Sequence, residues 1–437
     1  MSIDWKTQIY LILIHPTQPK VWTLDGALPD VVLSEHVWFP EVSDVLPAME
    51  ALLGFSPHIL YCPFSKEDTI QKTAVIAYVM ASEVFPTQGD WVPRSGLPSI
   101  SPPELLETLN QCFDELEGLV LPTARVPWAK PGWILEVCKW IEDQLSEHGC
   151  VPQKTKLIKN WSLSSVLEIQ AQLTKLYFKV AADIPLFGNE PLVTRALAAL
   201  CPECIPEVIL IESQQRWMVT SQLDLLGEVS VDELKPFLKT FAYLQQKSLL
   251  SLDKLKVAGC LDRSLSCLKS QIRPLMADDF ALRGLSLEEL NTLRALTERV
   301  EEACDQLMEC PIPHTLVHGD LHQWNMAKRD KDLVFFDWTD ACISHPFFDL
   351  APLLANYESD QETLLKAYLE CWSDFASQDI LENTWQLAQP LAFLHHAVSY
   401  QHMQMLEDYQ RMEISSCVFW LRCILRFYGY SDSKTVL

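Results

Sequence analysis

Between Lys154 and Gln222 the sequence strings five strand-like runs around a single helical one, and from Ser230 onward its apolar residues repeat at helical spacing. The strand-like runs are Lys154 to Ile158, Val166 to Gln170, Lys175 to Val180, Glu207 to Glu212 and Trp217 to Gln222, with the helical run at Asn189 to Leu200. Downstream, Ser230 with Glu233 and Ser286 with Glu289 have the spacing of capping boxes, each opening an amphipathic helix. The last ninety residues are also helical in pattern, with a break expected at Pro390. A β-rich block followed by a helical block defines an α+β chain with two lobes.

The residues before this block read as a small mixed α/β domain. Strand-like runs at Ile9 to Ile14 and Lys20 to Leu24 flank the turn-rich HPTQP, apolar runs follow at His58 to Cys62 and Thr73 to Val79, and a helix is expected to end near Leu116. The proline-rich stretch Leu121 to Trp133 then places a boundary near Thr123. The expected divisions are 1–123, a mixed α/β domain of unassigned role; 124–223, the β-rich lobe with its leading helix; and 224–437, the helical lobe.

Only 13 glycines occur in 437 residues, and the nearest pair, Gly89 and Gly96, lie seven apart. Neither G-x-G-x-x-G nor G-x-x-x-x-G-K can be drawn, which excludes a Rossmann or P-loop nucleotide site. A formal net charge of −24 argues against nucleic acid or an anionic membrane as partner. No apolar stretch has the length of a membrane helix, and Asp4 interrupts the basic start a secretory signal needs, so a reduced, cytoplasmic protein is expected. The 14 cysteines are scattered, and the close pair Cys201 and Cys204 in CPEC reads as buried thiols rather than half a zinc site.

The stretch from Thr315 to Leu350, TLVHGDLHQWNMAKRDKDLVFFDWTDACISHPFFDL, carries the densest chemistry. It reads as strand, polar loop, strand, with His318, Asp320, His322 and Asn325 in the loop and Asp337 ending the second apolar run. Two carboxylates and an amide brought together supply a proton acceptor and hard oxygen ligands, which suit Mg²⁺. Lys328 and Arg329 are expected in a solvated turn.

His318, Asp320 and Asn325 match the H-x-D-x-x-x-x-N motif, and with Asp337 after the next strand this segment resembles the aminoglycoside phosphotransferase and choline kinase-like family. The resemblance implies a bilobal protein kinase-like fold and transfer of a phosphoryl group from ATP to a hydroxyl of a small molecule. By that resemblance Asp320 accepts or orients the acceptor's proton, Asn325 and Asp337 hold Mg²⁺, and His318 and Asp349 brace the catalytic loop. Lys179 in LYFKV, at the end of the third strand-like run, and Glu190 at the start of the next helix match the family's phosphate-reaching lysine and its helix partner. The turn Asn160 to Ser165 stands where a phosphate-covering loop belongs; it has no glycine, so backbone amides with Ser164 and Ser165 are the candidate phosphate contacts.

Two other classes fit some of these residues. A zinc hydrolase would use His314, His318, Asp320, His322 and Asp337 but leaves Lys179 and Glu190 idle. A catalytically silent nucleotide-binding module would be expected to lack one of the metal or proton-accepting positions, and none is missing. His322, His395 and His396 are assigned to structure, as are Trp372 and Trp385, while Trp324 before Asn325 leaves the acceptor pocket's shape open. Between Ala351 and Ser415 ten acidic residues stand against Lys366 and Arg411, a net of −8, which reads either as a solvated helical face or, functionally, as a field attracting an acceptor that bears an amine. The sequence does not address oligomeric state.

Overall fold

The computed structural model describes residues 5–97, 100, 102–122, 125–172, 174–411 and 416–430. The boundary expected at Thr123 and the acidic Glu413 therefore lie outside the described residues. By their contacts the residues fall into two units, one of Met1–Ala182 with Leu406–Asp408 and one of Asp183–Met405 with Tyr409–Leu437.

In the first unit, the strands Asp30–Leu33, Lys6–Leu13, Thr73–Ala81 and His58–Asp68 form a sheet in that spatial order. Lys6–Leu13 runs parallel to Thr73–Ala81, with Ile9 opposite Ile76, and the outer pairings are antiparallel. The helix Pro103–Leu116 lays Leu105, Leu109, Cys112 and Phe113 on one face, and these pack with Ile12, Leu60, Ala77 and Val79 of the sheet. Next come the helix Trp133–Glu147 and three antiparallel strands, Pro152–Asn160, Ser164–Ala171 and Lys175–Ala181. Leu167 stands opposite both Leu157 and Phe178, and Val166 opposite Lys179. The strand Asp30–Leu33 corresponds to no expected run and His58–Asp68 runs six residues past the expected Cys62, while the other elements match expected runs to within a few residues.

The second unit opens with the helix Glu190–Leu200, whose N-cap Asn189 accepts the Leu192 amide, and the antiparallel strands Val208–Glu212 and Trp217–Ser221. Both capping boxes form, Ser230 with Glu233 ahead of Val231–Ser248 and Ser286 with Glu289 ahead of Leu287–Met308. Phe237 and Phe241 meet Phe335 edge-on, so the long helix and the strand leading to Asp337 share one core.

Pro390 does not break its helix. Gln378–Met403 runs through it, because Leu381, Trp385, Leu391 and Leu394 bury a face whose packing outweighs the roughly 3 kcal/mol a helical proline costs. Trp372 and Trp385 are core residues, as expected. Cys201 and Cys204 are buried as expected, but as a disulfide rather than as two thiols.

The strand, loop, strand reading of Thr315 to Asp337 needs one correction. Thr315–Val317 does not pair with the run before Asp337; it pairs antiparallel with Cys342–Ser344. The partner of Asp332–Phe335 is Met326–Arg329, a short strand hidden by its two basic residues. Arg329 accordingly sits on a strand and donates to the carbonyls of Ile205 and Pro202 rather than to solvent.

Candidate active site

Asp320 lies in the loop between the strand Thr315–Val317 and the 3-10 turn Gln323–Asn325, and the loop is shaped from below by Asp349. The fully buried Asp349 carboxylate accepts the amides of His318 at 3.0 Å and Gly319 at 2.9 Å, and the Gln245 side-chain amide at 3.1 Å. Burial pushes its carboxyl up to about 7, against the pull of those donors. Gly319 has φ +87°, and a Cβ there would meet the Asp340 carbonyl oxygen at 2.5 Å, so no other residue fits this bend.

His318 is buried against Trp338, with ring centroids 4.5 Å apart, and its Nε2 donates to the Phe336 carbonyl at 2.9 Å. That leaves Nδ1 to accept the Asp320 amide at 3.4 Å. Burial lowers its pKa to about 4, so it stays neutral and joins the loop to the segment carrying Asp337.

The Asp320 carboxylate is half-buried, with 43% of its side chain accessible. Its Oδ2 lies 3.2 Å from His322 Nε2 and 3.4 Å from Asn325 Nδ2, and Asn325 Nδ2 also donates to the Asp320 carbonyl at 2.9 Å. Burial raises the Asp320 pKa, but the hydrogen bond and charge of His322 lead the effects that outweigh it and hold the carboxyl below its ordinary value. It is an ionised acceptor at neutral pH. His322, assigned to structure from the sequence, is thus the side chain nearest the carboxylate; two positions after Asp320 in a polar loop was the signal that it faces the same way.

Asn325 is tied to the second carboxylate through the backbone, its carbonyl accepting the Phe336 amide at 3.1 Å. Asp337 follows in the left-handed region at φ 64°, unusual for a residue other than glycine, and Thr339 Oγ1 lies 2.9 Å from its Oδ1. The same hydroxyl lies 3.0 Å from Oε2 of the buried Glu190. With its amide nitrogen committed to Asp320, Asn325 keeps its side-chain oxygen, which, like the Asp337 carboxylate, is of the hard type that could hold Mg²⁺.

The other candidates occupy the first unit. Lys179 is half-buried on the strand Lys175–Ala181. Ser164 and Ser165 are both buried; Ser164 Oγ accepts the Trp161 indole N–H at 3.1 Å, and the Ser165 hydroxyl has no hydrogen-bond partner among the described residues. At the turn, the Ser162 amide donates to Asp408 at 2.6 Å.

Tyr400 lies close enough to Asp320 and Asp340 for their charges, after burial, to raise its pKa. His396 feels the charge of Asp320 as well, though burial dominates and lowers its pKa to about 4. Trp324 is exposed. Of the acidic residues counted between 351 and 415, Glu358, Glu362, Glu370, Asp374, Asp379 and Glu382 are exposed, Asp360 is half-buried, Glu407 pairs with Arg125, and Asp408 holds the Ser162 turn.

The segment 269–390, which carries Asp320, Asn325 and Asp337, matches the model of the phosphotransferase enzyme family. This agrees with the family resemblance of the H-x-D-x-x-x-x-N stretch. The chain is similar to a LicA homologue of Mycoplasma capricolum subsp. capricolum, 29% identical over 97 residues, which is 22% of this chain and 40% of that protein. Among solved structures it is similar to a choline/ethanolamine kinase family protein from Mesorhizobium loti, at a TM-score of 0.48 and 14% identity, covering 69% of this chain and 96% of the other. It is also similar to the choline kinase LicA of Streptococcus pneumoniae, at a TM-score of 0.47 and 11% identity, covering 68% of this chain and all of that one. No described helix is long and apolar enough to cross a membrane.

Proposed function

We propose that the chain is an ATP-dependent small-molecule kinase that transfers the γ-phosphoryl group of Mg-ATP to a hydroxyl of a small acceptor. The observation that carries this reading is the Asp320 carboxylate: accessible, ionised, set beside His322, and fixed by a loop whose amides end on the buried Asp349. A carboxylate in that state can accept a hydrogen bond from an acceptor hydroxyl and orient its oxygen for attack. Asn325 and Asp337 would hold Mg²⁺, which when bound neutralises charge on the phosphates. Lys179, Glu190 and the turn leading into Ser164 and Ser165 are assigned to the nucleotide, with the Ser162 amide already engaged by Asp408.

His318 and Asp349 position the loop rather than touch substrate. Residues 124–223 and 224–437 are taken as the two lobes, and no role is assigned to 1–123. The surplus of acidic residues between 351 and 415 is mostly solvent-facing, so any preference for a cationic acceptor acts through the field and not through a contact. A cytoplasmic location is part of the same proposal. The test is a screen of hydroxyl compounds, amine-bearing and neutral, by ATP consumption with mass detection of the phosphorylated product. Phosphorylation of one class of acceptor supports the reading, and ATP consumption without any phosphorylated product contradicts it.

A further inference from the structure

The hydroxyl of Thr339 lies 2.9 Å from Asp337 Oδ1 and 3.0 Å from Glu190 Oε2, and a hydroxyl has a single proton to donate. Both partners are acceptors when ionised, and both Thr339 and Glu190 are buried. Whichever carboxylate receives the proton, the other faces a lone pair, which is unfavourable unless a cation shares its charge. The backbone makes the same connection, since the Thr339 carbonyl accepts the Gly188 amide at 3.1 Å just ahead of the Glu190 helix. Gly188 has no room for a side chain, because a Cβ there would meet the Gly259 carbonyl oxygen at 2.9 Å. Asp337, held at positive φ, depends on such neighbours for its orientation.

We propose that Thr339 is a positioning residue that couples the helix glutamate Glu190 to the metal-binding aspartate Asp337, so that binding of Mg²⁺ with nucleotide and the orientation of Glu190 depend on one hydroxyl. The inference rests on the phosphotransferase reading and deepens it. Sequence alone gives little sign of it, since a threonine two residues after an aspartate is unremarkable. The bond needs only the hydroxyl, so serine can supply it and the isosteric valine cannot.

The test is calorimetric binding of ADP to the full-length protein, with and without Mg²⁺, for the wild type, Thr339→Val, Thr339→Ala and Thr339→Ser. Loss of a hydrogen bond to a charged group corresponds to about a tenfold weaker Mg-ADP affinity in the valine and alanine variants. Their Mg²⁺-free ADP affinity should move far less, and serine should restore Mg-ADP binding to within about twofold of wild type. Folded valine and alanine variants that bind Mg-ADP like the wild type would overturn the positioning role alone. Failure of both to fold would overturn it too, making Thr339 a folding element. A wild-type protein that binds no Mg-nucleotide would overturn the phosphotransferase reading and this inference together.

Discussion

Asp320 and His322 face each other across 3.2 Å, with the histidine's Nε2 directed at the carboxylate oxygen Oδ2 that Asn325 also approaches. The pairing orients the carboxylate and helps to keep it ionised. Replacing His322 with Ala removes the interactions that hold the Asp320 pKa down, so that pKa rises. The acid limb of the kcat/KM profile is expected to move to higher pH, with a loss of about tenfold in kcat at neutral pH from the misoriented carboxylate. A profile superimposable on that of the wild type would show that His322 has no influence on the reacting group.

Asp349 is predicted to matter more to folding than to substrate binding. Asp349→Ala leaves the His318 and Gly319 amides and the Gln245 side chain without their acceptor in a buried site. Unsatisfied buried donors cost about 1–3 kcal/mol each, so urea denaturation should show a loss of at least about 3 kcal/mol. A loss below about 1 kcal/mol would mean that water replaces the carboxylate without penalty.

Four buried histidines make the protein acid-sensitive. Burial lowers the pKa of His318 and His396 to about 4, of His345 to about 3, and of His395 well below the ordinary 6.5. Between about pH 6.5 and 4 the unfolded chain therefore binds more protons at these sites, and stability falls as pH falls, by about 1.4 kcal/mol per pH unit for each proton. Asp349, raised to about 7, works in the opposite direction with one proton. The net expectation is a denaturation midpoint that drops between pH 7 and 5, and a shallower drop in His395→Leu. A midpoint that is flat or rises toward pH 5 would contradict this balance.

Asp337→Ala removes a carboxylate from the proposed metal site, so the Mg²⁺ concentration giving half-maximal activity should rise about tenfold or more while the fold persists. Activity titrated with Mg²⁺ measures this directly. An unchanged requirement would take Asp337 out of the metal site.

Much of this architecture was legible in the chain. Periodicity located the helices Val231–Ser248 and Leu287–Met308 because each begins with a capping box and keeps one apolar face. The strands around Lys179 alternate cleanly, with Leu176, Phe178 and Val180 buried. What could not be read depends on distant neighbours. Met326–Arg329 looks like a solvated turn until Arg329 is seen to end on carbonyls 124 and 127 residues earlier in the chain. Pro390 looks like a helix break until the burial on both sides of it is counted. At the site, the residue types point to Asp320, Asn325 and Asp337, and the spacing of His322 from Asp320 hints at its side, whereas the Thr339 contacts depend on geometry that spacing does not reveal.

The most direct measurement compares wild type and Asp320→Asn, scoring γ-phosphoryl transfer to a hydroxyl acceptor by mass alongside Mg-ADP affinity by calorimetry. If Asp320 orients the acceptor hydroxyl, the variant loses transfer by about a hundredfold or more while binding Mg-ADP within about threefold of wild type. A variant that transfers phosphoryl at a near-normal rate, or a wild type that yields no phosphorylated product from any hydroxyl compound, would contradict the account.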